Sequence, residues 1–318
     1  MRAFNFERGD RVAAGFGVPA QYAEQFEAKY GPDYGLRFNH RCLCNCIPKL
    51  TWPNAPGKWV DDGKDKVWWY TAPLFEDYRD ADKLVFPDPR NSPDVFESLE
   101  KNLKERPDHA MACAIIGPIT ILHGMRLQDN IYTDVYDDPD GVHRTIKRIM
   151  DIQTDLVRQA VALPFDIIFY MDDIASSKGL LMSREMLCEY VLDYFEEGIE
   201  IAKKHGKKVA YHTDGNVMDL LDDMHRVGID CVNPMQPQFN NFEEFMRKFD
   251  GKMMVWGGID NLDVIPFGTP EDVKNHVEYV FSTLGKNGGL IMGTHEIRSP
   301  VTFENWEALL GTIHDCLY

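Results

Sequence analysis

The sequence predicts an α/β fold, a (β/α)8 TIM-type barrel with an irregular N-terminal extension. Three observations carry that expectation. From Ser92 onward, short apolar runs alternate with helical patterns, which is the sequence form of parallel βαβ units. No glycine-rich dinucleotide fingerprint or Walker loop follows any of these runs, and Gly15 and Gly17 precede them all, so a closed barrel outranks a doubly wound sheet. The 318 residues, 44% hydrophobic and 27% charged, are enough for one such barrel. On this reading residues 1–318 form one barrel domain, with an N-terminal layer over 1–91 and βα repeats over 92–318.

The first ninety-one residues are rich in proline, from Pro19 to Pro89, and in aromatics: Trp52, Trp59, Trp68, Trp69, Tyr70, Phe75 and Tyr78. A disordered segment would be aromatic-poor. The segment reads as a layer across the barrel mouth, with a strand near Val67–Tyr70. Ser92-Pro93 then opens a helix with proline at its first position, running to about Arg106. Apolar strands are expected at Ala110–Ile116, Phe165–Tyr170, Lys208–Tyr211, Ile229–Val232, Met253–Trp256 and Leu290–Met292. Between and after them lie helices at Pro139–Val161, from Ser183 to Gly206, at Val217–Val227 and Phe242–Phe249, from Thr269 to Leu284, and at Thr302–Leu317. In the helix after Ser183, Met186, Leu187, Tyr190, Val191, Tyr194, Phe195 and Ile199 recur at three- and four-residue steps.

Composition narrows the function classes. A formal charge of -17 repels a phosphate backbone, so no nucleic acid is expected as partner. It also disfavours a substrate bearing many carboxylates, unless a local basic pocket overrides the global field. No stretch is long and apolar enough to span a bilayer. No apolar run follows the charged N-terminus, and seven scattered cysteines suit reduced thiols, so a cytoplasmic protein is expected.

Chemistry in such barrels sits just past the C-terminal ends of strands. Four places there, or in extended chain, invite a reading. His212-Thr213-Asp214-Gly215-Asn216 follows a strand; side chains two apart in extended chain point the same way, so an imidazole and a carboxylate converge, to bind a metal or share a proton. The competing reading is a plain turn. His295-Glu296 follows another strand, as a catalytic pair or a structural hydrogen-bonding histidine. Asp172-Asp173 follows a third; adjacent residues point apart, so one faces the mouth and the other caps backbone amides. Cys42, Cys44 and Cys46 alternate along an extended segment; they lack the paired CxxC of structural zinc sites and read as small buried residues. Asp134, Asp137, Asp138 and Asp140 read as an acidic turn at a helix N-terminus.

Asp166-Ile167-Ile168 through Asp172-Asp173-Ile174, Gly179 through Met186, Gly117-Pro118-Ile119-Thr120 and His212-Thr213-Asp214-Gly215 together resemble the uroporphyrinogen decarboxylase superfamily, and within it the branch of corrinoid-linked, zinc-dependent methyltransferases. Gly117-Pro118-Ile119-Thr120 is similar to the family's GPxT segment, and His212-Thr213-Asp214-Gly215 to its HxCG motif with Asp in place of Cys. In the methyltransferase branch a zinc-binding Cys follows the last strand and a Glu lies nine residues later; in true decarboxylases a His holds the Cys position. Here His295 and Glu304 have that spacing, followed by Asn305.

The resemblance implies a (β/α)8 barrel whose metal ligands are His212, Asp214 and His295. Both thiolate positions are replaced. One His with two thiolates leaves Zn²⁺ formally neutral, whereas two neutral His with one carboxylate leave it at +1, a stronger Lewis acid that prefers oxygen. The decarboxylase branch's arginine-rich N-terminal segment has no equivalent: Arg37 and Arg41 flank Asn39-His40 in aromatic surroundings. The resemblance therefore implies a methyltransferase that moves a methyl group between a small O- or N-methylated compound and a corrinoid carried on a partner protein. Zinc is the expected metal. His295, Asp172, Asp173 and Glu296 are the expected catalytic groups, and Trp68, Trp69, Asn216 and Trp256 the substrate wall. Two alternatives stand beside it: a metal-free decarboxylase of a small carboxylic acid with His295 as acid/base, and a non-catalytic binding barrel.

Overall fold

Ala110–Ile116 is apolar throughout because both its faces are covered, one by the barrel lumen and one by helices. The same holds for the strands around it. The computed structural model describes residues 1–61, 66–297 and 299–318. In chain order its strands are β1 (Ala13–Ala14), β2 (Leu43–Cys46), β3 (Gly57–Asp61), β4 (Lys66–Tyr70), β5 (Ala110–Ile116), β6 (Ile167–Met171), β7 (Ala175–Ser176), β8 (Gly179–Leu180), β9 (Lys208–His212), β10 (Cys231–Asn233), β11 (Met254–Gly258) and β12 (Leu290–Gly293). β2, β5, β6, β9, β10, β11, β12 and β1 pair in that order, all parallel, and a parallel bridge from Ala14 to Arg41 brings β1 back beside β2. The result is a curled eight-stranded sheet of TIM-barrel type. Among the described residues no helix is long and apolar enough to cross a membrane.

Alternation along the strands sets which residues can reach the mouth. Ile167, Phe169, Ala210, Cys231, Met254, Trp256 and Ile291 fill the lumen, while Ile168, Tyr170, Val209 and Tyr211 pack against the helices. The short 3-10 helix Arg2–Asn5 pushes Phe4 into the lumen cluster, beside the strand starts Ala110, Ile167 and Leu290. The register aligns Met171, His212 and Asn233 at one level near the strand ends.

The structure moves two boundaries. The repeats begin upstream of Ser92, because β1 and β2 come from residues 13–46 and complete the barrel. β1 has two residues, too few for a periodic signal. The N-terminal layer is also divided: its first residues close the N-terminal end of the barrel. The hairpin of β3 and β4 instead packs on the helix Pro118–Arg126, through Ala55 N–H to the Gly124 carbonyl at 2.7 Å and the Tyr70 ring on His123. The helix expected from Ser92 starts at Glu97, and Val217–Val227 divides into a 3-10 turn, Met218–Leu220, and an α-helix, Leu221–Val227. Ser183 caps its helix as expected, accepting from Met186 N–H.

Candidate functional site

His212 is the last residue of β9, and its ring lies edge-on to Phe169, which lines the lumen. Its Nδ1 faces Asn233 Oδ1 at 2.7 Å across the β9–β10 pairing, while Asn233 Nδ2 donates to the Trp256 carbonyl at 2.6 Å. That arrangement holds the imidazole with Nε2 turned toward the mouth. Asp173 Oδ1 lies 3.8 Å from this Nε2.

Asp214 rides on a loop fixed from both sides. Thr213 N–H donates to the Asn233 carbonyl, and Thr213 Oγ1 accepts from Ile174 N–H. Gly215 N–H donates to Gln236 Oε1, and Asn240 Nδ2 donates to the Gly215 carbonyl. The bonded loop gives the carboxylate a defined place, as a preorganised site requires.

His295 follows β12 by two residues. Thr294 Oγ1 donates to the Ile259 carbonyl at 2.7 Å, and Asn261 Nδ2 donates to the Glu296 carbonyl at 2.9 Å, so the backbone is anchored on either side of the histidine. His295 Nε2 stands 3.4 Å from Asp214 Oδ2, and its ring lies over His212 with centroids 5.7 Å apart. One ligand atom from each of His212, Asp214 and His295 lies within 4.8 Å of the others.

The two aspartates after β6 divide as their alternation requires. Asp172 is fully buried and accepts from Thr120 N–H at 2.6 Å and Ile119 N–H at 3.2 Å, capping the helix Pro118–Arg126. Burial pushes its carboxyl up to about 7, outweighing the two amide donors. Gly117 permits the approach: a Cβ there would stand 2.3 Å from Asp172 Cβ. The Gly117-Pro118-Ile119-Thr120 segment is thus the cradle of Asp172. Asp173 is largely exposed and faces the mouth. His123 and Tyr132 lie near this carboxylate pair; burial lowers the His123 imidazole and raises the Tyr132 hydroxyl.

The remaining expected site residues fall in different places. Trp256 lies in the lumen against Phe169, with ring centroids 4.9 Å apart. Trp68 and Trp69 stand exposed on the β3–β4 hairpin. Asn216 turns its Oδ1 back to accept from Met218 N–H. Glu296 is exposed, as is Glu304, whereas its neighbour Asn305 is buried and donates to the carbonyls of Ile265 and Gly268. Cys44 and Cys46 are buried in the outer layer, where Arg106 Nη1 and Asn102 Nδ2 donate to their sulfurs. Asn233 and Gln236 escaped the sequence reading. Asn233 directly follows the apolar run expected at Ile229–Val232, and a polar residue in that position is the signal that finds it.

The donor set fits a divalent cation. Zinc bonds of ~2 Å put tetrahedral ligands a little over 3 Å apart, a small contraction from the spacings seen. Two neutral imidazoles and a carboxylate would make an open, oxygen-preferring site, and the Asn233 amide would supply the outer hydrogen bond that orients a histidine in such a site.

An eight-stranded parallel barrel with its polar cluster past the strand ends defines the class: TIM-type barrels with chemistry at the C-terminal mouth. The chain belongs to the uroporphyrinogen decarboxylase (URO-D) family, whose profile matches residues 43–316. It is 28% identical over 210 residues to the methylated-thiol–coenzyme M methyltransferase of Methanosarcina mazei, covering 65% of this chain and 53% of that protein. The chain therefore spans about half the length of the curated relative it matches. A solved methyltransferase from Methanosarcina mazei superposes over 99% of this chain and 96% of its own, with a TM-score of 0.64 at 14% identity, a likeness of fold.

Proposed function

We propose that this protein is a methyltransferase that takes a methyl group from a small methylated compound and passes it to a corrinoid on a partner protein. The convergence of His212, Asp214 and His295 within 4.8 Å at the barrel mouth is the observation that carries this reading. These three residues would hold a zinc ion, which supplies Lewis acidity toward the atom that loses its methyl group. The chain's own residues do the rest. Asn233 fixes the His212 ring, the bonded loop fixes Asp214, and Asp173 stands at the mouth to orient substrate. Phe169 and Trp256 wall the lumen below and exclude water. Replacement of both thiolates by oxygen and nitrogen donors favours an O- or N-methylated substrate over a thiol.

The test is demethylation of methyl ethers and methylamines by the purified protein with a reduced corrinoid protein, read beside metal content and beside a methylated thiol. Turnover that needs metal and favours the oxygen or nitrogen substrates supports the proposal. Carbon dioxide release from a small acid by metal-free protein supports the decarboxylase instead. No reaction of either kind leaves the binding barrel.

A further inference from the structure

β1 and β2 meet at one bridge, Ala14 to Arg41. Past it they part, since β1 ends at Ala14 while β2 continues along β5 to Cys46. The gap is a crevice of about 300 Å³ through the barrel wall, lined outside by Asn102 and Arg106 and inside by Trp256 and Thr294. A second cavity of about 560 Å³ adjoins it, and Arg41 and Arg106 line both.

Charge sets this crevice apart. The chain carries 51 acidic and 34 basic residues, and several arginines elsewhere, Arg126 and Arg184 among them, lie against carboxylates. The crevice is lined by two arginines and by no carboxylate among the described residues; Arg106 meets Cys44 Sγ at 3.8 Å. Glu105 and Asp108 line only the outer cavity, so an anion is favoured in the inner one. Two neutral donors point the same way. Asn102, whose Nδ2 also donates to Cys46 Sγ, lies on the helix side. On the lumen side, the Trp256 Nε1 edge lies so close to Gly15 and Gly293 that a Cβ there would stand 3.6 or 3.1 Å from it. The inner end abuts the candidate site: Thr294 precedes His295, and Trp256 packs on Phe169, whose ring meets His212.

We propose that the β1–β2 crevice is an anion subsite that holds the single oxyanion group of a small substrate, a carboxylate in the simplest case, through Arg41 and Arg106. A local basic pocket of this kind overrides the acidic surface for one charge, not for many. Only its last consequence rests on the proposed function, namely that the substrate's methylated end then reaches His212, Asp214 and His295.

Calorimetric titration of the full chain with benzoate and benzamide tests the subsite, because the two probes share a ring and differ in charge. Benzoate should bind more tightly than benzamide. Arg41→Gln and Arg106→Gln should each weaken benzoate about tenfold, the loss of one charge-assisted hydrogen bond, and leave benzamide unchanged. Benzoate affinity kept in His295→Ala places the probe in the crevice and not on the triad, and it holds whether or not methyl transfer is found. Equal benzoate affinity in the wild type and both arginine variants, or no saturation by about 10 mM, overturns the subsite. Inorganic sulfate binding as tightly as benzoate overturns its assignment to a substrate's tail.

Discussion

Asn233 Oδ1 stands 2.7 Å from His212 Nδ1, and the same amide is held in that orientation because its Nδ2 donates to the Trp256 carbonyl. A carbonyl only accepts, so the oxygen of the amide must face the imidazole. His212 then carries its proton on Nδ1 and presents the Nε2 lone pair to the mouth.

Asn233→Leu should therefore lower metal affinity about 10–100-fold, the usual effect of losing the outer partner of a ligating histidine. It should also cost about 1–3 kcal/mol of stability, because the Trp256 carbonyl is left buried without its donor. Asn233→Asp keeps the acceptor and should keep most of the affinity. Competition with a chromogenic chelator measures both, and unchanged affinity in folded Asn233→Leu counts against the metal assignment.

His295→Ala should abolish turnover while leaving the fold intact, since the residue sits past a strand end and its removal opens no large core cavity. Metal content after purification should fall with it. A metal-free acid/base role predicts lost activity with background metal in both proteins.

Asp214→Cys offers the opposite contrast. It restores one thiolate of the family's motif, so metal should be retained and bound more tightly, while Lewis acidity and activity on an oxygen-bound methyl group fall. A folded Asp214→Cys protein without zinc would refute the ligand set.

Gly117→Ala should destabilise the protein by about 1–3 kcal/mol, because its Cβ would overlap the fully buried Asp172. Asp172→Ala should cost about 0.5–2 kcal/mol through loss of the cap on Pro118–Arg126. Urea unfolding reads both.

His276 should take stability away below about pH 6.5, against the opposite contribution of Asp172, whose raised carboxyl favours the folded state as pH falls below about 7. Burial lowers this imidazole, and its Nε2 accepts from Asp260 N–H at 3.0 Å, which requires the neutral ring. A depressed folded-state value means that stability present above the unfolded value of ~6.5 is lost as pH falls through the folded one. His276→Gln should flatten that part of the profile; an unchanged acid slope excludes His276 as its source.

The six barrel strands from Ala110 on were legible because short apolar runs alternating with helical patterns have few other readings. β1 and β2 were not: one has two residues, and the other presents a Cys-Asn-Cys pattern that reads as extended without saying what it pairs with. The split between Asp172 and Asp173 followed from alternation alone. Convergence of His212 and His295, 83 residues apart in the chain, rests on barrel closure, which strand–helix alternation predicted, while their joining in one ligand set came only through the family resemblance. Asn233 was within reach of sequence, as a polar residue directly after an apolar run, whereas the Arg41–Arg106 crevice depends on register and on where β1 leaves the wall and is not written in local sequence.

Metal binding by His212, Asp214 and His295 together is what the proposed function stands on. Its most direct test is the metal-to-protein ratio of wild type and of the His212→Ala/His295→Ala double variant, each loaded with excess zinc and desalted. About one equivalent is expected in the wild type and background in the variant, because one carboxylate alone does not retain zinc. Equal zinc in both folded proteins, or none in the wild type, would contradict it.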